Sequence, residues 1–386
     1  MQSSLTHLGD ISTEEFLANY WQKKPLLIRN AMPNFESPLS PDELAGLALE
    51  DEIESRIVQE NHKQGPWNLR SGPFKEQDFQ KLPETHWTLL VQAVDLWVEE
   101  FGPLLDCFRF IPNWRIDDIM ASYAPDQGSV GPHFDYYDVF LLQGHGQRRW
   151  KIGAKCDAAS PTLSGCDLSI LSQFETEEEW VLNPGDMLYI PPQIAHHGIA
   201  LGDSITYSIG FRAPSEGDIL SELAHEMAEK AEDHVRYSDP DLALQNSPGE
   251  IDSKAISALQ AIVQRNLSDP SAIASWFGRY MTQRKYPELE ICESFQAVAP
   301  ESLRRELRGD VHLCKHPASR IAWHEYQDGS TVLFVDGETH ECSKDLAILV
   351  SSETELSANN LETLDEADWQ VVCKLVGLGN FYLSEQ

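Results

Sequence analysis

Between residues 107 and 214 the chain is a succession of short strand-like runs broken by turn formers. CFRFIPNW, DDIMASYAP, HFDYYDVFLLQ, RRWKIG, EEEWVLN, DMLYIPP, HHGIAL and SITYSIGFRAP follow one another, with PDQG, GHG, NPGD and LGDS among the turns between them. Many short strands at this spacing predict a barrel or jelly roll rather than alternating strand–helix units. The expected fold class is therefore mainly β, a double-stranded β-helix of the cupin kind with smaller parts on either side.

The flanks read differently. ISTEEFLANYWQKK predicts a helix capped at Ser12 or Thr13, with Phe16, Leu17, Tyr20 and Trp21 on one stripe. KKPLLIRNA predicts a short buried strand, SPDELAGLALEDE a capped helix, ESRIVQE a strand, GPWNLRSGPF a turn and HWTLLVQAVDLWVEEFGPLL a helix. Beyond Pro214, EGDILSELAHEMAEKAEDHVRYSD, SKAISALQAIVQRNL and SDPSAIASWFGRYMT are amphipathic helices that can pack on the barrel or make a two-fold interface. The end of the chain reads as a small α+β unit. It has a helix at SLRRELRGD, candidate strands in SRIAWHEY, STVLFVDGETHECS and WQVVCKLVGLGNFYLSEQ, and helices between TELSANNLETL and Trp369. The expected division is 1–214 (core about 100–214), 215–290 and 291–386.

Composition limits the partners. With 29 basic against 62 acidic residues the net charge is −33, which disfavours nucleic acid and anionic lipid but not a cationic protein. Solubility accounts for such a surface equally well. The N-terminus has neither a basic flank nor an apolar core, so no signal peptide is expected, and no run of eighteen apolar residues occurs. The seven cysteines, at 107, 156, 166, 292, 314, 342 and 373, have no tight spacing and read as cytosolic thiols.

The chemistry concentrates in GPHFDYYDVF. His133 and Asp135 are two apart, so on a strand both side chains face one way. His196 or His197, after a double proline about sixty residues later, offers a third ligand. Two histidines and a carboxylate form the facial triad that holds Fe(II) and leaves positions open for cosubstrate and dioxygen. In RRWKIG, Arg148 shares a face with Trp150, and Arg149 shares the other with Lys151. An inward arginine beside a metal needs an anion, and a dicarboxylate supplies one. Tyr136, Tyr137 and Asp138 either line a substrate mouth or pack, while Trp150 and Trp180 read as core anchors.

These segments resemble the JmjC-type iron(II)- and 2-oxoglutarate-dependent oxygenases, and within them the bacterial ribosomal oxygenases that hydroxylate an arginine of ribosomal protein L16. KKPLLIRNA is similar to that family's N-terminal signature, VGPHFDYYDVFLLQGHGQRRWKIG to its first ligand segment and cosubstrate strand, NPGDMLYIPPQIAHHG to its second ligand segment and SIGFRAP to its closing strand. The resemblance implies iron ligands His133, Asp135 and His196, with His197 the alternative. It implies Arg148 on the far carboxylate of 2-oxoglutarate, with Ser122 adding a hydroxyl that Tyr123 or Tyr207 can supply instead. Implied too are Fe(II), 2-oxoglutarate and O2, a cytoplasmic location, a homodimer through 215–290, a winged-helix-like terminal domain and C3 hydroxylation of an L16 arginine. A histidyl hydroxylase of the same family and a non-catalytic cupin-like module are the rival readings.

Overall fold

The computed structural model describes residues 4–62, 65–232, 234–289, 291 and 297–385. Two compact units divide the chain, Met1–Ala213 and Pro214–Gln386. In the first, the described residues form a nine-stranded antiparallel sheet and a small two-stranded one, His7–Leu8 with Ile11–Ser12; the nine-stranded sheet carries the site. Its strands are β1 (Leu26–Ile28), β2 (Ser55–His62), β3 (Gly65–Ser71), β4 (Trp87–Val91), β5 (Ile116–Ala124), β6 (Val139–Lys155), β7 (Glu178–Leu182), β8 (Met187–Ile190) and β9 (Ile194–Phe211). Their order is β1-β8-β6-β9-β5-β4-β2-β3, with β7 added on β6. This is the expected jelly roll.

Strand alternation explains why so much of it is apolar on both sides. Val139 and Leu141 of β6 pack with Leu188, Ile190, Trp150 and Ile152 on the inner face. Phe140 and Leu142 join Phe16, Phe108, Tyr189 and Phe211 on the other face, under the N-terminal elements. The helix Thr13–Asn19, capped by Ser12, brings Phe16 there, with Tyr189 edge-on at 4.9 Å.

Several segments depart from their sequence pattern. GHG and LGDS do not separate strands: β6 and β9 run through them for 17 and 18 residues. Register shifts between Leu201 and Ile205, and a φ of 61° at Gly146, let this pair bend instead. HWTLLVQAVDL, expected as a helix, is β4 followed by a 3-10 turn, and all five strand residues are buried. A run covered on both faces lacks the alternation that tells strand from helix. GPWNLRSGPF forms β3 rather than only a turn, while CFRFIPNW makes turns rather than a strand.

The second unit opens with helices Glu216–Lys230, Ser253–Asn266 and Pro270–Thr282. Arg279 pairs with Glu226 between the first and third. Gly278 lies against Phe334, whose ring would stand 2.2 Å from an added Cβ, so the third helix packs on the hairpin strand Thr331–Val335. WQVVCKLVG, expected within a strand-bearing stretch, is helix Glu366–Gly377 instead, started by the Asp365 side chain accepting from the Asp368 N–H. Only Phe381–Glu385 after it is a strand. No disulfide joins any two of the six described cysteines, and Cys292 lies outside the described residues. So do residues 290 and 292–296, at the expected second boundary. Among the described residues no helix is long and apolar enough to cross a membrane.

Candidate metal and cosubstrate site

His133, Asp135 and His196 converge, each offering one ligand atom within 4.8 Å of the others. The route differs from the expected one. Residues 133–138 are not a strand, and β6 begins only at Val139. His133 and His196 instead form an isolated bridge, exchanging backbone hydrogen bonds of 3.0 and 2.8 Å. The Gln193 N–H, directly after the double proline, donates to the Asp135 carbonyl at 2.6 Å. The motif therefore holds its shape through β9, not through its own strand pairing.

The far end of the loop is anchored by Asp138, which is fully buried and does not line the mouth. Its carboxylate accepts from Tyr189 Oη at 2.6 Å, Gln22 Nε2 at 2.9 Å and Arg115 Nη2 at 3.3 Å. Burial still holds this carboxyl above the usual range. Tyr136 and Tyr137 remain 56% and 43% exposed, so the two rings, and not the second aspartate, stand at the surface beside the ligands.

Both ligand histidines are set in one tautomer. Nδ1 of His133 lies 2.9 Å from the Gly131 carbonyl, and Nδ1 of His196 lies 2.9 Å from that of Ile194. A carbonyl only accepts, so the proton sits on Nδ1 and the Nε2 lone pair is free. Those Nε2 atoms lie 3.9 and 3.6 Å from Asp135 Oδ2. Burial, reinforced by His133, pushes His196 down to about 4, so it is a neutral ligand at physiological pH. His197 faces elsewhere, with Nε2 3.0 Å from Ser129 Oγ and Phe174 edge-on to its ring. Two imidazole Nε2 atoms and a carboxylate oxygen, all within 4.8 Å of one another, suit Fe(II).

Arg148 is inside the barrel, 5% exposed, in register with Ala200, while Trp150 pairs with Gly198 and Ile152 with His196. These residues share one face. Gly198 lets Trp150 lie flat on the backbone, since a Cβ there would come within 2.7 Å of the ring. Nη1 of Arg148 donates to Ser122 Oγ at 2.8 Å, but its Nε and Nη2 have no partner. Those two atoms form one edge of the guanidinium, the fork that takes a carboxylate side-on. Burial lowers the group to about 10, which leaves it charged at neutral pH. Arg149 points outward to Glu179, 3.3 Å away. Tyr123 and Tyr207 are turned the other way, toward Asp203 and Ser37, so Ser122 is the hydroxyl beside Arg148. Trp150 and Trp180 pack in the inner cluster, and His145 is exposed where the β6–β9 register shifts.

One residue of the site escapes a motif search. Asp118 is 5% exposed and precedes Met120 and Ser122 on the same face of β5. Gln92 Nε2 donates to it at 2.7 Å, and Arg56 donates to Gln92. Partial burial of the phenol, then Asp135 and more weakly Asp118, hold Tyr137 above its usual range. Alternation back from Ser122 was the available signal.

A JmjC domain model matches residues 103–219, and a ROXA-like winged helix model matches residues 265–382. The ribosomal protein uL16 3-hydroxylase of Escherichia coli strain K12 is 39% identical over 298 residues, 77% of this chain and 78% of that protein. The solved structure of E. coli ycfD superposes with a TM-score of 0.88 at 33% identity, covering 98% of this chain and 100% of that one. YcfD, a ribosomal oxygenase from E. coli, in complex with cobalt and 2-oxoglutarate, gives a TM-score of 0.84 at 34% identity over 97% and 99% of the two chains.

Proposed function

Because the chain belongs to the JmjC ribosomal oxygenases, we propose that it hydroxylates C3 of an arginine in ribosomal protein uL16 (L16), using Fe(II), 2-oxoglutarate and O2. The observation that carries the reading is the inward Arg148 with an unpaired carboxylate-sized edge, on the same barrel face as His196. Iron and cosubstrate, when bound, supply the oxidant that places one oxygen atom of O2 in a C–H bond, with succinate and CO2 released. His133, Asp135 and His196 would hold the metal, and Arg148 with Ser122 the far carboxylate.

The rest of the chain's work is positioning. The bridge to β9 keeps the ligands fixed, and the apolar wall of Trp150, Ile152 and Leu182 limits water around them. Asp118, buried on the face of Ser122, suits a substrate guanidinium better than an imidazole, because a carboxylate pairs with the planar fork. The chain's −33 charge attracts a basic ribosomal protein and raises the encounter rate.

The direct test is incubation with Fe(II), 2-oxoglutarate and uL16 fragments, read by mass spectrometry. One added oxygen on an arginine is the expected result. Asp118→Asn should raise the KM for the fragment about 10-fold or more. Oxygen on a histidine of another ribosomal protein would move the assignment to the histidyl branch, and no modification would return the barrel to a binding module.

The reading extends to assembly and place. Residues 215–290 make a homodimer contact, and 291–386 supply the terminal winged-helix part. Support comes from helix Ser253–Asn266, which leaves Ile256, Leu259 and Val263 45%, 53% and 50% exposed at helical spacing, and from Leu220 of helix Glu216–Lys230, 63% exposed. Light scattering should give twice the 43.5 kDa chain mass, and Ile256→Glu with Leu259→Glu should halve it. A monomeric wild type would end the dimer proposal. The lack of a disulfide among the described cysteines accords with the reducing cytoplasm, and the net charge with no direct nucleic acid binding. Cell fractionation and a gel-shift assay with ribosomal RNA test the two.

A further inference from the structure

Thr88 carries a hydroxyl that the fold does not use. It is 1% exposed and its Oγ1 has no hydrogen-bond partner. A hydroxyl sealed in this way costs stability unless something supplies its missing bond. Its place in the sheet says what that something is. Leu90 of β4 lies opposite Ser122 of β5, so Thr88, two residues from Leu90, is on the face that holds Ser122. The neighbouring backbone leads to the same corner. Gly128 packs so closely that an added Cβ would lie 2.2 Å from the Trp87 carbonyl, and the Gly128 carbonyl accepts from the N–H of Ala200, the register partner of Arg148.

Two other hydroxyls on this face have Gln143 as their partner. Thr206 Oγ1 donates to Gln143 Oε1 at 3.0 Å, and Ser204 Oγ accepts from Gln143 Nε2 at 3.1 Å. Ser122 Oγ accepts from Arg148, which leaves its proton free to donate. The corner thus presents four unspent donors: Nε and Nη2 of Arg148 and the hydroxyls of Ser122 and Thr88. A carboxylate has two oxygens and about four lone-pair sites. The Arg148 edge takes one lone pair on each oxygen, and two hydroxyls take the rest.

We propose that Thr88 is a further binding residue for the cosubstrate, donating its hydroxyl to the far carboxylate of 2-oxoglutarate alongside Arg148 and Ser122. The proposal rests on the cosubstrate reading above. It accounts for an unpaired hydroxyl near a guanidinium whose Nε and Nη2 are also without partners.

The test is calorimetric titration of 2-oxoglutarate into the full-length Mn(II)-loaded protein, which does not turn over. Thr88→Val keeps the shape and removes the hydroxyl, and should weaken binding about 10-fold or more, the loss of a hydrogen bond to a charged group. Thr88→Ser should stay within about 2-fold of wild type. Melting without cosubstrate supplies the second readout, where Thr88→Val should match or exceed wild type because it loses an unpaired group. Wild-type affinity in Thr88→Val, with binding lost in Arg148→Met, would overturn the Thr88 assignment and leave the cosubstrate site standing. Undiminished binding in both variants would overturn the cosubstrate site itself. A lower melting temperature for ligand-free Thr88→Val would show that the hydroxyl is structurally engaged, and would also overturn the proposal.

Discussion

Asp135→Ala and His133→Ala should each reduce succinate release from 2-oxoglutarate by about 100-fold or more while leaving the melting transition nearly in place. The geometry separates the two outcomes. His133 is held to β9 by backbone hydrogen bonds, and the Asp135 carbonyl by the Gln193 N–H, so neither anchor depends on the side chain that is removed. The side chains themselves are partly open to solvent, 25% and 24% exposed, and hold no core together. What they share is a place for a metal, with three ligand atoms within 4.8 Å of one another. Titration of Mn(II), followed by electron paramagnetic resonance, should show the same loss without any turnover. Full activity in both variants would remove these residues from the metal site.

Arg148→Met should have two opposite effects. Affinity for 2-oxoglutarate should fall about 100-fold or more, since the arginine supplies the charge for the carboxylate and a buried charge-assisted pair is worth about 2–5 kcal/mol when one side is truncated. Stability without cosubstrate should not fall and should rise by about 1 kcal/mol or more, because an uncompensated buried charge is replaced by an apolar chain of similar length. The structure supports that sign: Arg148 is 5% exposed, keeps one hydrogen bond to Ser122 and has two orphaned donors. Calorimetry with and without 2-oxoglutarate reads both effects. A variant that melts well below wild type in the absence of cosubstrate would mean that the guanidinium is a structural group and not a waiting one.

Legibility in the sequence followed the range of the interactions. The helix caps at Ser12 and Ser40 were visible because they depend on residues three apart, and both form. The split of RRWKIG into two faces was visible because strand alternation is local, and Arg148 and Arg149 do part ways. Trp87–Val91 was not. Covered on both faces, it has no period to read, and the misassignment hid Thr88 inside an expected helix. The choice between mouth and core for Asp138 is not legible for a related reason. Its three side-chain donors come from residues 22, 115 and 189, and nothing within DYYD announces them.

The sequence by itself determined the set of groups that can meet a metal, His-x-Asp and a histidine after a double proline, and the run of short strands able to bring them together. Residue type and strand period suffice for that, because they are properties of neighbours along the chain. Tertiary structure decided which groups face which. The pairing of β9 with both β5 and β6 turns Arg148 and Ser122 into one corner, turns His197 toward Ser129, and buries Asp118 and Thr88 with them. The physical reason lies in burial. A carboxylate, a guanidinium or a hydroxyl is ordinary on the surface, and only removal from water makes an unpaired one costly enough to signal a ligand.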